Sequence, residues 1–300
     1  MIDKFTDIRK IGEKNGEAVY DIFFGPNHPG IHGNFGYVVD MVAHTITKVR
    51  VNAGQLHRGF EKIMEENLWL QNLSLIPRIC VVDPDPNEVA YCRAIENISN
   101  IEVPERAKYL RTITLEMSRM TSHLMGMGSV GGATGLYTVM YIMLADRDLL
   151  LDMFEWLTGA RIYHIYNVPG GVRRDVPDGW LEKLKKLMDH FEKRLEEYDH
   201  ILYNHPVIHK RLKGVGELST EEAMKWGLVG PNLRSTGYKF DLRKNYPYEA
   251  YGEMDFEIPV GKNGDALDRA VVVRKEFYQS IRIIRQAIEK IPEGPVNVKL

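Results

Sequence analysis

The stretch ERAKYLRTITLEMSRMTSHLMGMG, Glu105 to Gly128, decides the fold. Leu110, Ile113, Met117, Met120, Leu124 and Met127 recur in steps of three and four, so all six share one stripe of a helix. A stripe that apolar has to be buried against other helices. Its methionines suit adaptable core packing better than a soft cofactor pocket. Downstream the same period returns at Leu184, Leu187, Phe191, Leu195, Tyr198 and Leu202, and again at Phe277, Ile281, Ile284, Ile288 and Ile291. A fourth helix is predicted from Val139 to Thr158, closed by Gly159 as a left-handed cap. Upstream, from about Val19 to Val51, β-branched and aromatic runs such as Tyr37-Val38-Val39 and Thr45-Ile46-Thr47 are cut by Gly25-Pro26 and Pro29-Gly30, the pattern of short antiparallel strands. The expected fold is α+β, with a small N-terminal β layer over residues 1–55 on a long-helix bundle over residues 56–300. Ser219 and Glu222 have capping-box spacing, and the Gly-, Pro- and Tyr-rich stretch at about 214–265 is expected to run as a loop excursion over the surface.

With 39 basic and 41 acidic residues, no global field recruits nucleic acid or anionic lipid. Only Cys80 and Cys92 are present, which argues against a disulfide framework and for a reducing compartment. The charged start, Met1 to Gly12, has no apolar run of the secretory kind, so a cytoplasmic protein is expected. No run of about 18 apolar residues occurs, so any membrane attachment is expected to come through other subunits.

Two loops carry candidate chemistry. In Gly25-Pro-Asn-His28-Pro-Gly-Ile-His32-Gly33 the prolines and glycines oppose a helix, which weakens a metal reading of two histidines four apart. Such histidines can donate a hydrogen bond or a proton, or simply brace the loop. In Ile76-Pro-Arg78-Ile-Cys80-Val-Val-Asp83-Pro-Asp-Pro86 the prolines fix a rigid loop, with a helix expected from Asn87 or Glu88. Cys80 and Asp83 supply too few donors for a closed transition-metal site, so the choice lies between a reactive thiol favoured by Arg78 and a buried inert one. No phosphate loop, nucleophile elbow or C-x-x-C pair occurs, and Gly131-Gly-Ala-Thr-Gly135 follows a helix, as a break or a close packing point would.

Gly25-Pro-x-His-Pro-x-x-His-Gly33, Leu56-His-Arg-Gly-x-Glu-Lys62, Asn87-Glu-x-Ala-Tyr91, Ile101-Glu-Val-Pro-Glu-Arg-Ala107, Leu157-Thr-Gly-Ala-Arg161, Pro169-Gly-Gly-Val172, Gly214-Val-Gly216 and Asp241-Leu-Arg243 follow one another in the chain. In this order they resemble the complex I 49-kDa (D-type) subunit, a family it shares with the large subunit of membrane-bound [NiFe] hydrogenases. The resemblance runs from Gly25 to Pro295 and implies a hydrogenase-large-subunit-like fold. It also implies a peripheral place on the cytoplasmic face of the cell membrane. Quinone-reducing members carry a tyrosine and an aspartate where this chain has Val81 and Ala133, neither of which can make those polar contacts. Hydrogenases hold nickel and iron with two C-x-x-C pairs; here Arg78-Ile79-Cys80 resembles the first, Asp83 replaces its second cysteine, and the other pair does not occur. No metal is therefore expected in this chain.

The remaining likeness is to the archaeal membrane-bound sulfane sulfur reductase. It implies a ferredoxin-driven, ion-translocating complex reducing polysulfide, with Cys80 as nucleophile and Arg78, His28 and His32 as anion binders and proton donors. Expected partners are an iron–sulfur small subunit (complex I B-type) holding a [4Fe-4S] cluster, a C-type subunit, H-type membrane-arm subunits and ferredoxin. No cofactor is expected on this chain alone. The family's C-terminal segment is expected to be absent. A quinone reductase with a rebuilt headgroup site, and a non-catalytic scaffold coupling redox events to the membrane arm, are the alternatives.

Overall fold

The structure is a computed structural model that describes residues 8–25 and 36–298. The chain divides into two compact units, Met1–Asn67 and Leu68–Leu300.

The first unit is an antiparallel meander of four strands in the order β1 (Ile8–Lys14), β2 (Glu17–Phe24), β3 (Gly36–Val42) and β4 (Thr45–Asn52), followed by α1 (Phe60–Glu66). Asn15 and Gly16, both at positive φ, make the tight β1–β2 turn whose twist suits a hairpin. The strand reading from Val19 missed β1. Its residues are all exposed, so it carries no alternation of buried and exposed positions to reveal it.

The second unit is built on α2 (Asp85–Ser99), α3 (Glu105–Ala133), α4 (Tyr137–Thr158), the two-residue strands β5 (Asn167–Val168) and β6 (Gly171–Val172), α5 (Trp180–Tyr198), α6 (Pro206–Leu212), α7 (Thr220–Lys225), α8 (Gly230–Arg234), α9 (Leu242–Asn245) and α10 (Ala266–Lys290). The striped helix, α3, packs on α4 and α10, and α5 closes the bundle against both of those. All six stripe residues are buried. α4 ends at Gly159 with φ 82°, as its sequence requires. Gly131 is a close packing point and not a break: α3 runs through it, and a Cβ there would lie 2.9 Å from the Cβ of Val139. α2 starts at Asp85, earlier than expected, because a proline in the first turn has no N–H to lose.

The stretch at 214–265 is corrected more substantially. It keeps the Ser219–Glu222 capping box, but it sends Leu233, Arg234, Arg243, Tyr251 and Phe256 into the core. Its polar composition hid this, because its buried apolar residues are interleaved with buried charges, Arg234, Asp241, Arg243 and Asp265. Glu116 of α3, fully buried, receives both carboxylate contacts of Arg243 at 3.0 and 3.1 Å, the Ser280 hydroxyl at 2.6 Å and the Tyr251 hydroxyl. Arg243 also grips Asp241 at 2.7 Å, and Arg234 joins Glu276 at 2.6 Å. Burial alone would push the Glu116 carboxyl up; Arg243, then Arg119, outweigh it and hold it at about 2. A carboxyl held below its unfolded value adds stability above about pH 4.5 and loses it as pH falls toward 2, here on the order of 3 kcal/mol. Acid titration of the unfolding free energy is expected to show that loss, and Glu116→Gln is expected to flatten it.

Candidate functional site

Pro77 opens a single tight turn, Ile76–Ile79, after which Cys80 leaves in extended conformation (φ −133°, ψ 115°) with its side chain half-buried. The loop that follows is pinned to α3 by two hydroxyls one turn apart. Ser118 donates to Asp83 Oδ1 at 2.6 Å, and Thr121 donates to the Val82 carbonyl at 3.1 Å. Asn87 donates to the Asp83 carbonyl at 3.2 Å. Burial raises the Asp83 carboxyl above its usual range, against the Ser118 bond that lowers it. A carboxylate engaged in this way fastens the loop. Val81 stands exposed between the pinned residues and Cys80.

Arg78 donates to the Ser74 carbonyl and lies over the Tyr163 ring, 5.1 Å from its centroid. It thereby joins the Cys80 loop to the 161–172 segment. That segment is held in turn by Arg111 of α3, which is fully buried, grips Glu96 at 2.6 and 3.1 Å and donates to the carbonyls of Val168 and Gly171 at 2.8 and 2.9 Å. Cys92, on α2, is wholly buried, and burial pushes its thiol up to about 12. It is the kind of thiol that packs and does not react.

The structure therefore brings Arg78 and Cys80 into one loop. His28 and His32 lie outside the described residues. Among the described residues no three His, Cys, Asp or Glu side chains gather as a metal site would need. The loop offers one sulfur, and Asp83 is spent on Ser118, a donor set that does not fit a nickel–iron centre. Sequence reasoning missed Ser118, Thr121 and Tyr163. The first two were visible as hydroxyls one turn apart on a buried helix; Tyr163 left no signal, since its left-handed backbone (φ 61°) is not one its residue type favours.

Residues 133–300 match the family described as the 49-kDa subunit of respiratory-chain NADH dehydrogenase. The D-type subunit of NADH-quinone oxidoreductase from Thermosipho melanesiensis is 48% identical over 279 residues, 93% of this chain and 76% of that protein. Its counterpart from Rhodospirillum rubrum is 41% identical over 278 residues, 93% of this chain and 71% of that one. A chain in the structure of the membrane-bound sulfane sulfur reductase, an archaeal respiratory membrane complex, superposes with a TM-score of 0.91 at 42% identity, covering 96% of this chain and 77% of that chain. Among the described residues no helix is long and apolar enough to cross a membrane.

Proposed function

Since the chain belongs to the 49-kDa subunit family of the respiratory-chain NADH dehydrogenase, we propose that it is the subunit at which a ferredoxin-driven, ion-translocating membrane complex reduces polysulfide. The observation that carries this reading is the lone, half-buried Cys80 thiol on a loop made rigid by Ser118 and Thr121. The likeness to the sulfane sulfur reductase structure adds to it.

In this reading the Cys80 thiolate attacks a sulfur of the chain, forming a Cys80–sulfur bond and expelling a shorter polysulfide dianion. When one sulfur remains on Cys80, two electrons and one proton break that bond, releasing hydrosulfide and restoring the thiolate. The electrons come from a [4Fe-4S] cluster of an adjacent small subunit. A C-type subunit and H-type membrane-arm subunits complete the assembly on the cytoplasmic face of the cell membrane. His28 and His32 supply protons. Arg78, already engaged by Ser74 and Tyr163, orients the loop and adds positive charge for an anionic substrate.

One observation favours a second reading, quinone reduction: the D-type relatives are named for that acceptor. Purified complex supplied with reduced ferredoxin distinguishes the two. Sulfide release from polysulfide without reduction of a short-chain quinone is the expected result, and the reverse pattern sinks the sulfur reading.

A further inference from the structure

Behind the Cys80 loop, where Pro84 leads into α2, lies a sealed group of polar side chains that the reaction above does not use. Glu88 is 1% exposed and Asp85, one turn before it, is wholly buried. Glu88 accepts from the backbone N–H of Ile165 at 2.7 Å, from those of Tyr166 and Asn167 at 3.1 Å each, and from Asn167 Nδ2 at 3.1 Å. His164 faces Asp85 Oδ2 through Nδ1 at 3.0 Å and the Arg161 carbonyl through Nε2 at 3.1 Å, its ring stacked on Phe154 with centroids 3.8 Å apart.

The hydrogen count at His164 follows from this geometry. A carbonyl only accepts, so Nε2 carries a hydrogen. Nδ1 lies at hydrogen-bond distance from Asp85 Oδ2, so one proton is held between the two residues. Burial would lower the imidazole, but Asp85 outweighs it and raises it, so that proton stays.

Glu88 is different. Four donors favour its ionised form, while burial, and then the neighbouring Asp85, raise it to about 7. A buried carboxylic acid also needs an acceptor for its own hydrogen. Asn167 supplies one. Its Oδ1 is buried without a partner while its Nδ2 serves the carboxylate. Rotation of the amide by half a turn exchanges the two atoms and sets Oδ1 to receive a hydrogen from Glu88. The same orphaned oxygen is otherwise a cost with no return.

We propose that Glu88 and Asn167, beside the Asp85–His164 pair, form a buried proton-holding site in which Glu88 takes up and gives back one proton and the Asn167 amide turns over to suit each form. Resting on the redox reading above, the site stores the proton that accompanies each electron pair delivered near Cys80. Cys92, one turn further along α2, stays neutral, and Glu96 beyond it is paired with Arg111 of α3.

Infrared difference spectra of the intact purified complex, recorded without any electron acceptor as pH is varied between about 5 and 9, test the site directly. The carbonyl band of a buried carboxylic acid is expected to appear on acidification and to vanish in Glu88→Gln. That amide keeps the shape, accepts the same backbone hydrogens and can donate to Asn167 Oδ1. A titrating band that survives Glu88→Gln, or no titrating band at all, overturns the proposal. Since no acceptor is present, that failure would leave the sulfur reading standing, whereas a complex that shows the band but releases no sulfide would keep the site and lose the reading.

Discussion

Arg243→Met is expected to destabilise the chain by about 3–5 kcal/mol, because it takes from two buried carboxylates the cation they share and leaves Glu116 with only Arg119 at 3.3 Å and Asp241 with only Arg234 at 3.6 Å. Glu116 and Asp241 are 0% and 5% exposed at the side chain, and each contacts Arg243 through two bonds. The loss is therefore of compensation, not of a favourable pair. A variant that also neutralises both acids, Glu116→Gln with Asp241→Asn, is expected to recover most of the stability, since the penalty lies in the stranded charge. Urea unfolding checks both: the midpoint drops in the single variant with its slope unchanged, and returns in the triple one. If Arg243→Met unfolds within about 1 kcal/mol of the parent, the network is not holding the bundle together.

Cys80→Ser is expected to reduce sulfide release by the assembled complex on the order of a thousandfold or more, the scale on which covalent nucleophiles fail when replaced. The substitution is nearly isosteric at a half-buried position, and the loop's fastening to α3 runs through Val82 and Asp83, so folding and assembly should be spared. Retention of sulfide release would exclude a covalent sulfur step. Retention together with intact ion translocation would turn attention to the scaffold reading.

How much of this was readable beforehand differs by kind of interaction. The stripe from Leu110 to Met127 was legible because burial of an apolar face imposes its own period on the sequence. The Gly159 cap and the Ser219–Glu222 capping box were legible because they act over one turn. The buried charges were not. Glu116 and Arg243 are 127 residues apart, and each alone has the composition of a surface residue. For the same reason the stretch at 214–265 looked like a surface loop although Arg234 and Arg243 anchor it inside. At the candidate site, Cys80 and Arg78 stood out by residue type and rigid surroundings. Glu88 was noticed only as part of a motif and as a possible helix start. Its role depends on backbone hydrogens delivered from residues 165–167, a segment whose path, with Tyr163 and Ile165 at φ 61° and 46°, no local preference announces.

Ser118 and Thr121 fasten the Cys80 loop near the middle of α3, the longest helix among the described residues. About thirteen residues beyond Ser118, roughly 20 Å by helical rise, Gly131 presses against Val139 with no room for a methyl group between them. A strut gripped tightly at both places has little slack with which to absorb a displacement. An alanine at position 131 would itself be such a displacement, since its methyl group has to push Val139, and with it the start of α4, away from α3.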